Sequence, residues 1–103
     1  MWLDPEEVSE WAYWYCRKKD RPEIRKYITE SRWAYWYCRD INDNPEMRKN
    51  ITDSKWSYTY CKFIKDRPEV RKNITNSRWA YYYCSYVKER SEVRKYIKEN
   101  KCG

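Results

Sequence analysis

Glycine and histidine are almost missing from this sequence: of 103 residues one is Gly, at the last position, and none is His. A phosphate-cradling loop or a dinucleotide fingerprint needs several glycines where backbone approaches ligand, so neither is present. Two-residue hairpins rely on positive φ and are usually built on Gly, which disfavours a β-meander. Without imidazole there is no Ser-His-Asp triad, no Cys-His dyad and no His metal ligand. No apolar run approaches the ~20 residues of a membrane span. The start, Met1-Trp2-Leu3-Asp4-Pro5-Glu6-Glu7, is acidic and does not read as a signal peptide. Phe occurs once, whereas there are 7 Trp and 12 Tyr.

What is present is a repeat. Residues 9–30, 31–53, 54–76 and 77–99 align as four copies, with 1–8 as an N-terminal cap and 100–103 as a tail of one domain, 1–103. Cys16, Cys38, Cys61 and Cys84 are spaced by 22, 23 and 23 residues, and Trp11, Trp33, Trp56 and Trp79 keep the same step. Each copy reads as two helices. Asp20…Glu23 and Asp66…Glu69 fit an N-cap with a carboxylate three residues on, and Pro22, Pro45 and Pro68 fall in a first helical turn, where a missing N–H costs nothing. The short helix that follows carries an i, i+4 apolar pair: Ile24/Ile28, Met47/Ile51, Val70/Ile74 and Val93/Ile97. Ser31, Ser54 and Ser77 read as caps of the longer helix, whose Trp, Ala, second Tyr and Cys share one face at 100° per residue. The first copy is expected to open with one helix over about 5–18, capped by Asp4, with Leu3 packed on Val8. Helices this short are not stable alone, so units must bury each other's faces. The expected fold is all-α, a short α-solenoid of four 22–23-residue helix–turn–helix repeats; a compact helical bundle is the alternative.

The repeated cysteines have neither zinc spacing nor disulfide reach between neighbouring units, and read as small buried residues beside Ala. Cys102 lies in the tail, where an intermolecular disulfide is conceivable. Free thiols favour a reducing, cytoplasmic compartment. Asn50 and Asn73 begin Asn-Ile-Thr sequons, but these are one repeat position copied rather than glycosylation signals.

No catalytic residue, cofactor or metal is expected. The serines read as caps with no base placed for them, and the acids read as caps rather than as a pair. Candidate binding residues lie in ladders. Tyr13, Tyr35, Tyr58 and Tyr81 sit about 130° from the buried direction of their helices, and Trp14, Trp36 and Tyr82 lie on the opposite flank. Such a row makes either contact between neighbouring units or an aromatic stripe on a binding surface. Arg32, Lys55 and Arg78 follow the serines; Lys26, Lys49, Lys72 and Lys95 point away from the apolar pair; Arg25, Arg48, Arg71 and Arg94 flank it. The formal charge of +7 is uneven, with the second copy neutral and the third carrying +4.

The run Ser31-Arg32-Trp33-Ala34-Tyr35-Trp36-Tyr37-Cys38 and its copies, each followed by a Pro-Glu-x-Arg-like turn, resembles short tandem helical repeats of large phages and giant viruses, a largely uncharacterised family. The resemblance covers 9–99 and implies an α-helical repeat of viral origin acting in a host cell. It transfers no catalytic residue. The function expected is a non-enzymatic protein-binding module, such as a small viral inhibitor of a host factor, with an acidic partner surface. The alternative is a nucleic-acid backbone binder using the Arg/Lys and Tyr rows. The neutral second copy interrupts a continuous basic track and favours protein. The acidic start (Asp4, Glu6, Glu7, Glu10) and the basic stretch from Lys98 to Lys101 suggest end-to-end self-association.

Overall fold

A computed structural model describes residues 3–98. Among them are eight α-helices and no strand: α1 (Pro5–Lys18), α2 (Pro22–Arg25), α3 (Ser31–Asp40), α4 (Pro45–Arg48), α5 (Ser54–Phe63), α6 (Pro68–Arg71), α7 (Ser77–Tyr86) and α8 (Ser91–Arg94). None of these helices is long and apolar enough to cross a membrane. Long and short helices alternate as the repeat implies. The chain divides into two compact units, Met1–Thr52 and Asp53–Gly103, each holding two long and two short helices.

The helix starts follow from local chemistry. Asp4 accepts the Glu6 N–H at 2.8 Å and starts α1, and Pro5 occupies the first turn. Pro22, Pro45 and Pro68 open α2, α4 and α6. Two sequence assignments shift here. The residue that caps a short helix is the one immediately before its first helical residue (Arg21, Asn44, Arg67, Arg90), and of these Asn44 accepts the Met47 N–H at 2.8 Å. Asp20 and Asp66 stand one residue earlier and are free for other work. Helices α3, α5 and α7 start at serine, so Ser31, Ser54 and Ser77 are first helical residues; the caps are Glu30, Asp53 and Asn76.

The serine hydroxyls bond further away instead. Ser9 Oγ accepts from the backbone N–H groups of Thr29 and Glu30 at 3.0 and 3.1 Å, and donates to the Tyr27 carbonyl at 3.3 Å. Ser54 Oγ does the same with Thr75, Asn76 and the Asn73 carbonyl, at 3.1, 3.1 and 3.0 Å. Ser31 Oγ accepts from Thr52 N–H, and Ser77 Oγ from Lys98 N–H. The repeated serine thus ties the end of its own repeat to the start of its long helix and satisfies backbone donors that no helix pairs.

The short helices are single turns of four residues, shorter than the i, i+4 pairs imply. The second apolar residue of each pair lies just beyond the helix, held by an i+3 bond: Ile28 N–H to Arg25 O and Ile74 N–H to Arg71 O, both 3.0 Å. Ile28, Met47, Ile51, Val70, Ile74 and Val93 are buried. In the first unit α1 packs on α2 and α3, and α3 on α4; in the second α5 packs on α6 and α7, and α7 on α8. Ala12, Ala34 and Ala80 are fully enclosed, as is Ser57 at the same position of the third copy, so a small residue stands where the long helices approach.

Cys16, Cys38 and Cys61 are buried free thiols, and Cys84 is a half-buried one. Burial pushes the Cys38 and Cys61 thiols up to about 12. Thiolate is the reactive form. With Cys102 replaced by Ser, native protein at pH 8 should therefore react with a disulfide reagent at Cys84 first, and at all four only in denaturant. Mass mapping of the labelled sites checks this; fast labelling of Cys38 in native protein contradicts it. Cys102 itself lies outside the described residues, as does Lys101.

Candidate functional site

The aromatic row divides. Tyr13 is only 2% exposed, and Tyr35 and Tyr58 are also buried, whereas Tyr81 is 55% exposed. Of the two readings of this row, contact between neighbouring units describes Tyr13 and Tyr58, and a continuous exposed stripe of all four, as candidate partner-binding residues, is corrected. The Tyr13 ring lies 5.3 Å from that of Trp33, and the Tyr58 ring 5.6 Å from that of Trp79. Each points away from its own helix's buried side but into the long helix of the next repeat.

The second tyrosine of each copy also departs from a uniform pattern. Tyr37, Tyr60 and Tyr83 are fully buried, but Tyr15 is exposed, and Trp11 is 54% exposed. The face that a preceding repeat covers on α3 and α7 is open on α1. Leu3, Val8, Trp11, Ile24 and Tyr27 line a groove of about 510 Å³ there. Leu3 therefore shares a groove with Val8 but stays largely exposed.

The buried tyrosines need partners for their hydroxyls. Tyr37 donates to Asp20 Oδ2 at 2.8 Å and Tyr83 to Asp66 Oδ2 at 2.8 Å. Each acid also holds the arginine five residues on: Arg25 Nε to Asp20 at 3.2 Å, and Arg71 Nη1 to Asp66 at 2.8 Å. The same step joins Arg48 to Asp43 at 3.0 Å, and Arg94 to Glu89. Arg25 and Arg71 then reach Glu46 and Glu92 of the following repeat, each at 3.2 Å. Arg90 closes the second cluster on Asp66 and the Tyr83 hydroxyl at 3.1 and 2.8 Å. Arg25 also lies 6.0 Å over Tyr37, but the principal partners of these arginines are carboxylates. A constant step of 17 residues from acid to tyrosine was the available signal.

The basic candidates are all exposed, and each of the first row lies over the tryptophan that follows it: Arg32 over Trp33 at 5.1 Å, Lys55 over Trp56 at 5.2 Å, Arg78 over Trp79 at 5.6 Å. Lys26, Lys49, Lys72 and Lys95 are exposed, with Lys26 and Lys95 over Tyr27 and Tyr96. Lys72 and Lys95 share a small recess of about 130 Å³ with Glu92.

One place gathers several such groups. Between α1 and α3 a cleft of about 220 Å³ is lined by Tyr13, Trp14, Arg17, Arg32, Trp33, Trp36, Arg39 and Asp40. Arg39 lies 4.0 Å over Trp36, and Arg17 5.4 Å over Trp14. Asp40 is part of the structure of the cleft: its Oδ2 accepts from Tyr13 at 2.6 Å and its Oδ1 from Arg39 Nε at 2.9 Å. Burial opposes the Asp40 charge, but the bonds from Tyr13 and Arg39 outweigh it and hold the carboxyl below its ordinary value. Outside Asp40, Glu6 accepts from Trp33 Nε1 at 3.0 Å and meets Arg32 at 3.5 Å.

No protein-family model, no curated protein and no solved structure matches this chain.

Three guanidiniums stand against the carboxylates of Asp40 and Glu6, and Trp14 and Arg39 are about half exposed. Guanidinium stacked on indole is weakly hydrated and keeps its donors for a second partner. Arg17 and Arg39 were not singled out from sequence; their i, i+3 spacing from Trp14 and Trp36 was the signal. Among the described residues no group of three or more Cys, Asp or Glu is arranged to hold a metal ion.

Proposed function

We propose that the chain is a non-enzymatic helical-repeat binding module that docks an acidic segment of a partner protein in the α1/α3 cleft. The carrying observation is the cluster of Arg17, Arg32 and Arg39 with Trp14, Trp33 and Trp36 around one 220 Å³ recess. Aromatic and arginine side chains are the commonest anchors of protein interfaces, and forked guanidiniums match carboxylates. The same three inter-repeat contacts inside each unit support the finer architecture, a four-repeat α-solenoid. The corresponding places in α5 and α7 hold Thr59, Lys62, Tyr82 and Ser85, so the cluster does not recur. That favours one docking point over a track read repeat by repeat along a nucleic-acid backbone.

The test is a titration followed by tryptophan fluorescence. The probes are an Asp/Glu-rich peptide and a single-stranded DNA oligonucleotide of equal charge, at about 50 mM and about 300 mM salt. The peptide should bind more tightly, and Arg39→Ala with Trp36→Ala should weaken it by about tenfold or more. Lys72→Ala in the other unit should leave it unchanged. Tighter binding of the oligonucleotide, or binding of neither probe, rejects the reading.

A further inference from the structure

The open face of α1 is matched by residues elsewhere in the same chain. Inside each unit, one repeat meets the next through three recurring contacts. A tyrosine ring lies on a tryptophan (Tyr13 on Trp33, Tyr58 on Trp79). A tyrosine hydroxyl donates to an acid (Tyr37 to Asp20, Tyr83 to Asp66). An arginine reaches a glutamate (Arg25 to Glu46, Arg71 to Glu92). The earlier repeat supplies Tyr, acid and Arg; the later one supplies Trp, Tyr and Glu.

Repeat 9–30 carries the later set as Trp11, Tyr15 and Glu23, all exposed. Repeat 77–99 carries the earlier set as Tyr81, Glu89 and Arg94, also exposed. Glu89 is bridged by Arg94, as Asp20 is by Arg25 and Asp66 by Arg71. The two exposed sets are complementary residue for residue, and the apolar groove of Leu3, Val8, Ile24 and Tyr27 extends from Trp11.

We propose that repeat 77–99 of one copy docks on the open α1 face of a second copy, reproducing between chains the junction that joins repeats within a unit. The Tyr81 ring covers Trp11, Glu89 accepts the Tyr15 hydroxyl, and Arg94 reaches Glu23. The two faces differ, so the contact is heterologous and head-to-tail. This sharpens the end-to-end association expected from the terminal charges: Glu6 is already engaged by Arg32 and Trp33 of its own chain. The inference is independent of the acidic partner, because Trp11, Tyr15, Tyr81 and Glu89 do not line the α1/α3 cleft.

Light scattering on the full chain with Cys102→Ser, in reductant, tests it. The face of one repeat is small, so the average mass should rise above 13.1 kDa between about 10 µM and about 1 mM. Trp11→Arg and Tyr81→Arg should each stay monomeric with unchanged helical circular dichroism. Mixed in equal amounts they should form a dimer and nothing larger, since each keeps one intact face. Should Trp11→Arg lose helix content, Tyr15→Phe gives the same readout with the ring retained, weakening association about three- to tenfold. A wild-type monomer at every concentration overturns the proposal. Association that survives Tyr81→Arg overturns it too, because two open faces would then be meeting each other, and so does a mixture that remains monomeric.

Discussion

Replacing Asp66 by Ala should cost about 3 kcal/mol or more of unfolding free energy, measured by urea titration. One carboxylate accepts from Tyr83, Arg71 and Arg90. Arg71 is nearly buried, and removing its closest acceptor leaves a guanidinium charge with only the exposed Glu92 described beside it. The exposed pair of Arg94 with Glu89 makes the contrast: Glu89→Ala should leave the urea midpoint almost unmoved, because solvent screens surface pairs. Equal losses in the two variants would contradict this account.

The same cluster sets a pH window. Burial disfavours the Asp66 charge, but the bonds from Arg71, Tyr83 and Arg90 prevail and lower its pKa from 3.8. A lowered carboxylate contributes stability that is present above pH 4 or so and is lost as pH falls through the folded value. Tyr83 moves the other way: burial, and then the bond to Asp66, raise it from 10.0 to about 12. Its contribution is complete below pH 10 and is lost as pH rises through 12. Wild type should therefore weaken at both limits, and Asp66→Ala should flatten the acid one.

Ser9→Ala should destabilise by about 2–3 kcal/mol although it removes a single oxygen. Ser9 is completely enclosed, and its hydroxyl is the acceptor for two backbone N–H groups. Alanine leaves the Thr29 and Glu30 amides, in a part-buried contact, without that acceptor, and two donors lost from one shielded acceptor cost more than an average hydrogen bond returns. Hydrogen exchange should show those two amides opening faster than their neighbours. Thr59→Ala serves as the control: its hydroxyl only bonds back to the Lys55 carbonyl of its own helix, so the change should be near neutral. A Ser9→Ala loss no larger than the control would show that water or backbone rearrangement satisfies the loop.

The helices and their order were legible because they rest on local chemistry. Asp4, the three prolines and the Trp-Ala-Tyr-Cys face each act within one turn. For Tyr13 and Tyr58 the sequence left inter-unit contact and an exposed stripe as alternatives, because angle on a wheel gives direction and not what stands in that direction. Trp33 and Trp79 fill the space, and they belong to the next repeat. The roles of Asp20 and Asp66 were hidden for a related reason. A carboxylate one residue before a cap looks like a cap, and its buried partner lies 17 residues away. The α1/α3 cleft was half visible: Tyr13 and Arg32 were singled out, and Arg17, Arg39 and Asp40 emerged only when two helices were set side by side.

The serine ties and the tyrosine–acid pairs share one property: they join residues about one repeat apart, 17 for Tyr37 with Asp20 and 20 for Ser9 with Thr29. Contacts this near in sequence close small loops, and the conformational search for each is short. The segment leaving a ribosome needs little more than one further repeat before its polar bonds can form. Folding can thus keep pace with synthesis and progress unit by unit, without waiting for the far end of the chain.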